Sequence, residues 1–282
     1  MSPKNLNADI LLKFSNKHPF FFFDFDGTLS EIVPTPEEAG LTPAARMAIV
    51  ELHRRGPVGI ISGRRLADLR SIVGIRGLIY SGNHGVEIEG GGMKFIEPNS
   101  ARSSRYIMSL AGKIASRLRK YHARVNSKKY SVSIHYRTLE KSLVKPLLSE
   151  LNSMIAGAVS EGRIYVFHGK KVVEIKSPVD WDKGKAIRLI LKTLSPRSTP
   201  IFFGDDTTDE YGFREVNKMG GISVFVGRAS AVTAAKYRVT SPAALVRNLE
   251  GYLEMQDVAS KANSLAWARR KMRVKCAARN QE

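Results

Sequence analysis

The sequence predicts an α/β protein: a doubly wound parallel sheet with an inserted smaller α+β domain. Three observations carry this. Short continuous apolar runs recur at Pro19–Phe23, Val58–Ile61, residues 200–203 and Ile222–Val226, the pattern of strands buried on both faces of a parallel sheet. Segments with apolar residues at helical spacing alternate with those runs, which is how such sheets are wound. Between Pro98 and Ser177 the order changes to helix, strand, helix, strand, strand, and that break reads as an insertion. The expected division is a core of residues 1–98 and 177–282 around a domain of residues 99–176.

The first run ends in Asp24-Phe25-Asp26 and is closed by Gly27. Its consecutive phenylalanines alternate faces, so they are core and not a stacking surface. Residues 42–55 set Ala45, Ile49 and Leu52 on one helical face, with Thr42-Pro43 as the start and Gly56 as the stop. Val58–Ile61 follows as a strand, residues 64–73 as a helix, and residues 77–80 as a strand running into Ser81-Gly82-Asn83-His84-Gly85. In the insertion, residues 101–121 form a basic amphipathic helix, 130–137 alternate like a half-buried strand, 139–158 are helical, and 163–167 and Val172–Lys176 are strands. Trp181 is expected to pack. The core resumes with a helix at 183–193, a strand at 200–203, a turn into a helix at 204–210, and the strand Ile222–Val226. From Pro242 the chain is helical and ends in a basic tail with Arg269, Arg270, Lys271, Arg273, Lys275 and Arg279. Right-handed crossovers would line up the loops after the strands along one sheet edge, where ligands of open sheets bind.

The 282 residues suffice for a large core and exclude a small stapled scaffold. Cys276 is the only cysteine, which excludes an intrachain disulfide and a cysteine metal cluster. No basic-then-apolar leader stands at the N-terminus, and Pro19–Phe23 is far too short to cross a bilayer, so a cytoplasmic protein without membrane attachment is expected. Lysine and arginine number 45 against 26 acidic residues, a formal charge of +19. That favours an anionic partner without choosing among phosphorylated metabolite, nucleic acid and lipid. The tail lacks the aromatic interleaving of a single-strand platform, which leaves nucleic-acid binding as an accessory property at best.

Asp24 and Asp26 stand two apart at the end of a buried strand, so both carboxylates leave on one side. Acids so placed raise each other's pKa or share a divalent cation, and the bland alternative is strand-end capping. Asp205 and Asp206, in Gly204-Asp205-Asp206-Thr207-Thr208-Asp209, form a second cluster after another strand. Oxygen ligands gathered from separate loops suit magnesium, with Asp209 read as a helix cap. Ser62-Gly63-Arg64 opens a helix, as an anion cradle or as a plain N-cap. Lys183 reads by itself as a surface lysine, and in company with the acids as a phosphate counterion.

Taken in order, Asp-Phe-Asp-Gly-Thr-Leu at 24–29, Ser62-Gly63-Arg64, Lys183 and Gly-Asp-Asp at 204–206 resemble the four motifs of haloacid dehalogenase-like phosphatases. The resemblance implies Asp24 as nucleophile and Asp26 as acid and base. It implies Mg2+ held by Asp24, Asp205, Asp206 and the Asp26 carbonyl, and Ser62 and Lys183 on the phosphoryl oxygens. The narrower resemblance, over residues 20–253, is to trehalose-6-phosphate phosphatases. It rests on Gly82-Asn83-His84-Gly85-Val86-Glu87, on Ser131-Val132-Ser133-Ile134-His135-Tyr136-Arg137, on Gly169-Lys170-Lys171-Val172-Val173-Glu174-Ile175-Lys176 and on the longer Gly204 motif. It implies that the insertion is a cap that binds the sugar through Lys128 and Glu174. Thr28, Gly63, Arg64, His84, Glu87 and Asn126 are further substrate contacts, and His84 and His135 are expected to act as hydrogen-bonding groups and not as proton carriers. A monomer acting on a small sugar phosphate is expected.

Two positions depart from that pattern. Asn126 stands where a glutamate is usual and Lys176 where an arginine is usual. An amide still donates and accepts hydrogen bonds but removes a charge beside the sugar. The chemistry is untouched, and the sugar becomes the open question: trehalose 6-phosphate, or another phosphorylated glycoside such as sucrose or glucosylglycerol phosphate.

Overall fold

A computed structural model describes the backbone of residues 3–169, 171–228 and 232–279, with side chains as far as residue 262 apart from Pro36. Lys170, Cys276 and the basic side chains of the tail lie outside the described residues. The chain opens with β1 (Lys4–Asn5), α1 (Ala8–Leu12), β2 (Pro19–Phe23), α2 (Pro43–Arg55), β3 (Val58–Ile61), α3 (Leu66–Val73) and β4 (Ile79–Gly82). It continues through β5 (Glu87–Gly90), β6 (Met93–Ile96), α4 (Pro98–Leu118), β7 (Arg124–Lys128), β8 (Ser131–His135), α5 (Lys141–Ser160), β9 (Tyr165–Gly169) and β10 (Val172–Lys176). It closes with α6 (Lys183–Leu194), β11 (Thr199–Gly204), α7 (Asp209–Lys218), β12 (Ile222–Val226), β13 (Tyr237–Val239) and α8 (Pro242–Arg279). None of the described helices is long and apolar enough to cross a membrane.

The chain divides into two compact units. The first comprises residues 1–85, 89–93 and 182–282; the second comprises 86–88 and 94–181, taking in residues on either side of the expected 99–176. The large sheet has the order β1-β13-β12-β11-β2-β3-β4-β5-β6 and is parallel from β1 to β4. β2 is central because its four phenylalanines leave no polar face. Phe21 and Phe23 lie in the cluster with Ile49 and Leu52 of α2 and Leu249 and Tyr252 of α8, and Phe21 meets Tyr252 at 5.6 Å between ring centroids. Phe20 and Phe22 occupy the other face, where the register sets Phe22 beside Phe202 and Phe202 meets Phe213 of α7. Helices therefore cover both faces, the α/β arrangement read from the alternation.

In the second unit, four antiparallel strands in the order β7-β8-β10-β9 bury one face against α4 and α5. Ile107, Ile114, Leu147 and Leu151 of those helices meet Val132, Ile134, Val173 and Ile175 of the strands.

Several elements differ from the sequence expectation. β4 begins two residues late because Gly77, with φ +87°, makes a turn there, and a Cβ at Gly77 would sit 2.5 Å from His53 Nε2. α3 starts at Leu66 instead of 64. β7 was not expected: Val125 is its only aliphatic residue, so it shows no alternation to read. β1, α1, β5, β6 and β13 are likewise short additions, two to five residues long.

Candidate active site

The loops after β2, β3, β4 and β11 meet at the carboxyl edge of the parallel sheet. Asp24 leaves β2 with its backbone N–H donated to Phe203 O at 2.8 Å, and is 5% exposed. Lys183, the first residue of α6, is 2% exposed, which overturns its reading as a surface lysine. Its Nζ donates to Asp24 Oδ1 and to Asp209 Oδ1, each at 2.7 Å. Asp209 is fully buried, and its Oδ2 accepts the backbone N–H groups of Asp205 at 3.0 Å and Asp206 at 3.1 Å. Gly204 makes room for this, since a Cβ there would lie 2.3 Å from Asp209 Cγ.

Asp205 accepts the Thr28 hydroxyl at 3.0 Å. It also lies against Gly27, where a Cβ would come within 2.1 Å of Asp205 Oδ2 and where φ is +83°. Glycine at 27 thus meets two demands at once, a left-handed turn and the close approach of a carboxylate. Asp206 turns the other way. Its Oδ1 accepts Thr208 N and Thr208 Oγ1 at 2.7 Å and Asp209 N at 3.2 Å, so Asp206 caps the turn into α7. Asp209, read as a helix cap, instead faces the Lys183 cluster, and Asp206 holds the helix start. A carboxylate at the fourth position after Gly-Asp, one helical turn on, was the available signal.

Four carboxylates and one ammonium leave this cluster overcharged. Burial pushes Asp24 up to about 7 against the pull of Lys183, with Asp205 adding to the rise. Burial and the neighbouring Asp209 carry Asp205 to about 7, and burial carries Asp209 to about 8. Burial opposes the Lys183 charge, but Asp24 and Asp209 outweigh it and its pKa ends above the ordinary lysine value. For Asp206 burial is outweighed by Lys183 and Thr208, and its pKa falls. With several acids around one lysine, the lysine keeps its proton and the carboxylates are the groups in need of a cation. Oxygens of Asp24, Asp205 and Asp209 lie within 4.8 Å of one another, a hard donor set that fits a divalent metal.

Asp26 lies apart from that cluster in its contacts. Its carboxylate accepts Arg64 Nε at 2.7 Å and Arg64 Nη2 at 2.5 Å, a bidentate pair, and the guanidinium lies over the Phe25 ring. Ser62, 1% exposed, takes the Arg64 N–H on its hydroxyl at 3.2 Å and so braces the loop instead of capping α3. The loops after β3 and β4 are clasped by Asn83 N to Arg64 O at 2.7 Å and His84 N to Ser62 O at 2.9 Å. His84 adopts φ +58°, and a Cβ on Gly63 would lie 2.6 Å from its ring, so Gly63 admits the histidine.

The remaining expected contacts belong to the second unit. Glu87 accepts the Tyr130 hydroxyl at 2.9 Å and Lys129 Nζ at 3.3 Å. Asn126 and Lys128 lie on β7, where Arg124 Nε reaches Asn126 Oδ1 at 3.3 Å. Glu174 on β10 pairs with Lys176 at 3.1 Å. Trp181 packs on Phe95, as its reading as a packing residue requires.

Comparison with known proteins gives this arrangement a family. Residues 22–243 match the family model described as trehalose-phosphatase. The chain is 33% identical over 240 residues to the trehalose-phosphate phosphatase of Mycobacterium avium, an alignment covering 81% of this chain and 60% of that protein. It is 34% identical over 236 residues to the trehalose-phosphate phosphatase of Mycobacterium tuberculosis, with 80% and 59% covered. The chain thus spans about 60% of the length of the curated relatives it matches. Among solved structures, the C-terminal domain of Candida albicans trehalose-6-phosphate phosphatase superposes with a TM-score of 0.70 over 90% of this chain and 99% of that one. At 22% identity that likeness speaks for the fold.

Proposed function

The chain belongs to the trehalose-phosphatase family, and from that premise we propose that it hydrolyses trehalose 6-phosphate to trehalose and phosphate, with Mg2+, through an aspartyl-phosphate on Asp24. The observation that carries this reading is the buried Lys183 ammonium held at 2.7 Å from both Asp24 and Asp209. A buried group of lysine and carboxylates serves little in folding that well-packed apolar residues at all of its positions would not do as well. It suits an enzyme that must gather an anionic phosphoryl group against an anionic nucleophile.

Asp24, Asp205 and Asp209 are the side chains that fit the metal, with the Asp26 carbonyl as a main-chain ligand. When bound, the ion neutralises their charge and that of the phosphoryl oxygens. The chain's own groups then divide the work. An Asp24 oxygen attacks phosphorus while the bond from phosphorus to the sugar oxygen breaks. Asp26 gives the departing oxygen a proton, then takes one from a water that attacks the same phosphorus and releases phosphate, restoring both aspartates. Both oxygens of Asp26 are turned to Arg64, so each proton transfer requires the side chain to swing off the guanidinium. Ser62 and Lys183 hold the phosphoryl oxygens, and Thr28 positions Asp205. In the second unit Glu174, Lys128, Asn126 and Glu87 bind the sugar hydroxyls; in the first unit Arg64, His84 and Gly63 are further substrate contacts. Asn126 favours testing a second substrate class, another glycoside phosphate, beside the first.

The test is phosphate release with Mg2+ from trehalose 6-phosphate, sucrose 6-phosphate, glucosylglycerol phosphate and glucose 6-phosphate. Asp24→Asn is expected to lower turnover by at least about 10³-fold while circular dichroism stays that of the parent. Substantial turnover in that variant would sink the nucleophile assignment, and preference for another sugar would sink the substrate assignment alone.

A further inference from the structure

In the antiparallel sheet of the second unit, directly paired residues share a face. The register sets Asn126 opposite Ser133, Ser133 opposite Glu174, and Glu174 opposite Phe167, so these four form one row across all four strands. Tyr165 ends the neighbouring row, opposite Lys176. Intervening positions such as Ile134 and Val173 supply the buried face, so the row with Phe167 belongs to the opposite, polar face. Phe167 and Tyr165 are each 51% exposed on edge strand β9, while Ser133 in the middle of the row is 9% exposed. The face is therefore low where its serine stands and is bounded at one edge by two half-exposed rings.

Rings left half in water on an otherwise polar face forgo burial. The Lys176 ammonium sits 5.2 Å from the Phe167 ring centroid and pairs with Glu174, so ring, cation and carboxylate are held as one group. A pyranose matches that group: its C–H face is apolar enough for a ring, and its hydroxyl rim suits a carboxylate, an amide and an ammonium. We propose that Phe167, seconded by Tyr165, is a stacking platform for a pyranose ring of the substrate, and that it supplies sugar selectivity in a chain whose row begins with Asn126. The inference rests on the sugar-phosphate reading of the site. It adds to that reading an apolar contact that the hydrogen-bonding residues do not provide.

Two measurements test it. Phe167→Ala is expected to raise KM for trehalose 6-phosphate about tenfold with kcat within about twofold, and to lower kcat/KM for that substrate about tenfold relative to glycerol 1-phosphate. Phe167→Tyr keeps most of the ratio. Trehalose, which has no phosphate to lose, should show upfield ring-current shifts of its C–H protons in the presence of the wild-type chain. Those shifts should vanish with Phe167→Ala and persist with Phe167→Tyr. An unchanged ratio, or shifts that survive loss of the ring, overturns the platform. If the wild-type chain hydrolyses another sugar phosphate and leaves trehalose 6-phosphate alone, the substrate assignment fails, and the platform is judged by the same ratio and shifts on that sugar. If no sugar phosphate is hydrolysed and no sugar shifts, both fail. A dimer by sedimentation that Phe167→Ala dissociates would assign the edge to pairing between copies and overturn the proposal.

Discussion

Lys183 shows what a single buried charge implies. Its ammonium is 2% exposed and is shared between two buried carboxylates. Removing one partner of a buried pair costs about 3–5 kcal/mol, because the charges left behind lose compensation without regaining water. Lys183→Met should therefore lower the unfolding free energy by about that amount in metal-free buffer, read by urea denaturation. A loss under about 1 kcal/mol would mean that water reaches Asp24 and Asp209 and that the pair is not the buried one described. At this scale the sequence was legible wherever residue type and position both spoke. Asp24 and Asp205 are brought together as their placement after strands suggested, and Thr28, expected as a substrate contact, bonds Asp205. Asp206 and Asp209 were separable only by which way each side chain leaves the turn, a matter of backbone geometry that adjacent acids do not encode.

At the scale of elements, strands buried on both faces were legible and the half-exposed ones were not. β2 announces itself because every residue from Phe20 to Phe23 must be apolar; β7 hides because its outward residues are Arg124, Asn126 and Lys128 and its inward side holds only Val125 and Ser127. The same strands give His135 its surroundings. It ends β8, opposite Arg124 on β7 and Val172 on β10. Burial lowers its pKa below 6.5, the cations of Arg124, Arg137 and Lys128 lower it further, and Glu174 opposes them. The unfolded chain therefore binds the His135 proton more readily than the folded one does. Stability is present above the unfolded value and is lost as pH falls through it toward the depressed folded value. The melting temperature should thus fall between pH 6.5 and pH 5.5 more steeply in the wild-type chain than in His135→Gln. Equal slopes would show that the imidazole charges without penalty on that face.

For the molecule as a whole, the +19 charge and the proposed substrate pull together while the site itself pulls the other way. Its four aspartates exceed its single lysine, so without a divalent ion the sheet edge repels a phosphate that the rest of the surface attracts. Steering from a distance and capture at the site are then separate steps, and ionic strength acts mainly on the first. Raising salt from about 0.05 to 0.5 M at saturating Mg2+ should lower kcat/KM for a sugar phosphate about three- to tenfold and leave kcat within about twofold. The tail beyond residue 262 holds six basic residues and Glu282, so most of the +19 lies elsewhere in the chain. A chain ending at residue 262 should keep the same salt dependence. If truncation flattens it, the tail is the steering element; if kcat falls with salt as strongly as kcat/KM, the charge acts at the metal and phosphoryl group and not on approach.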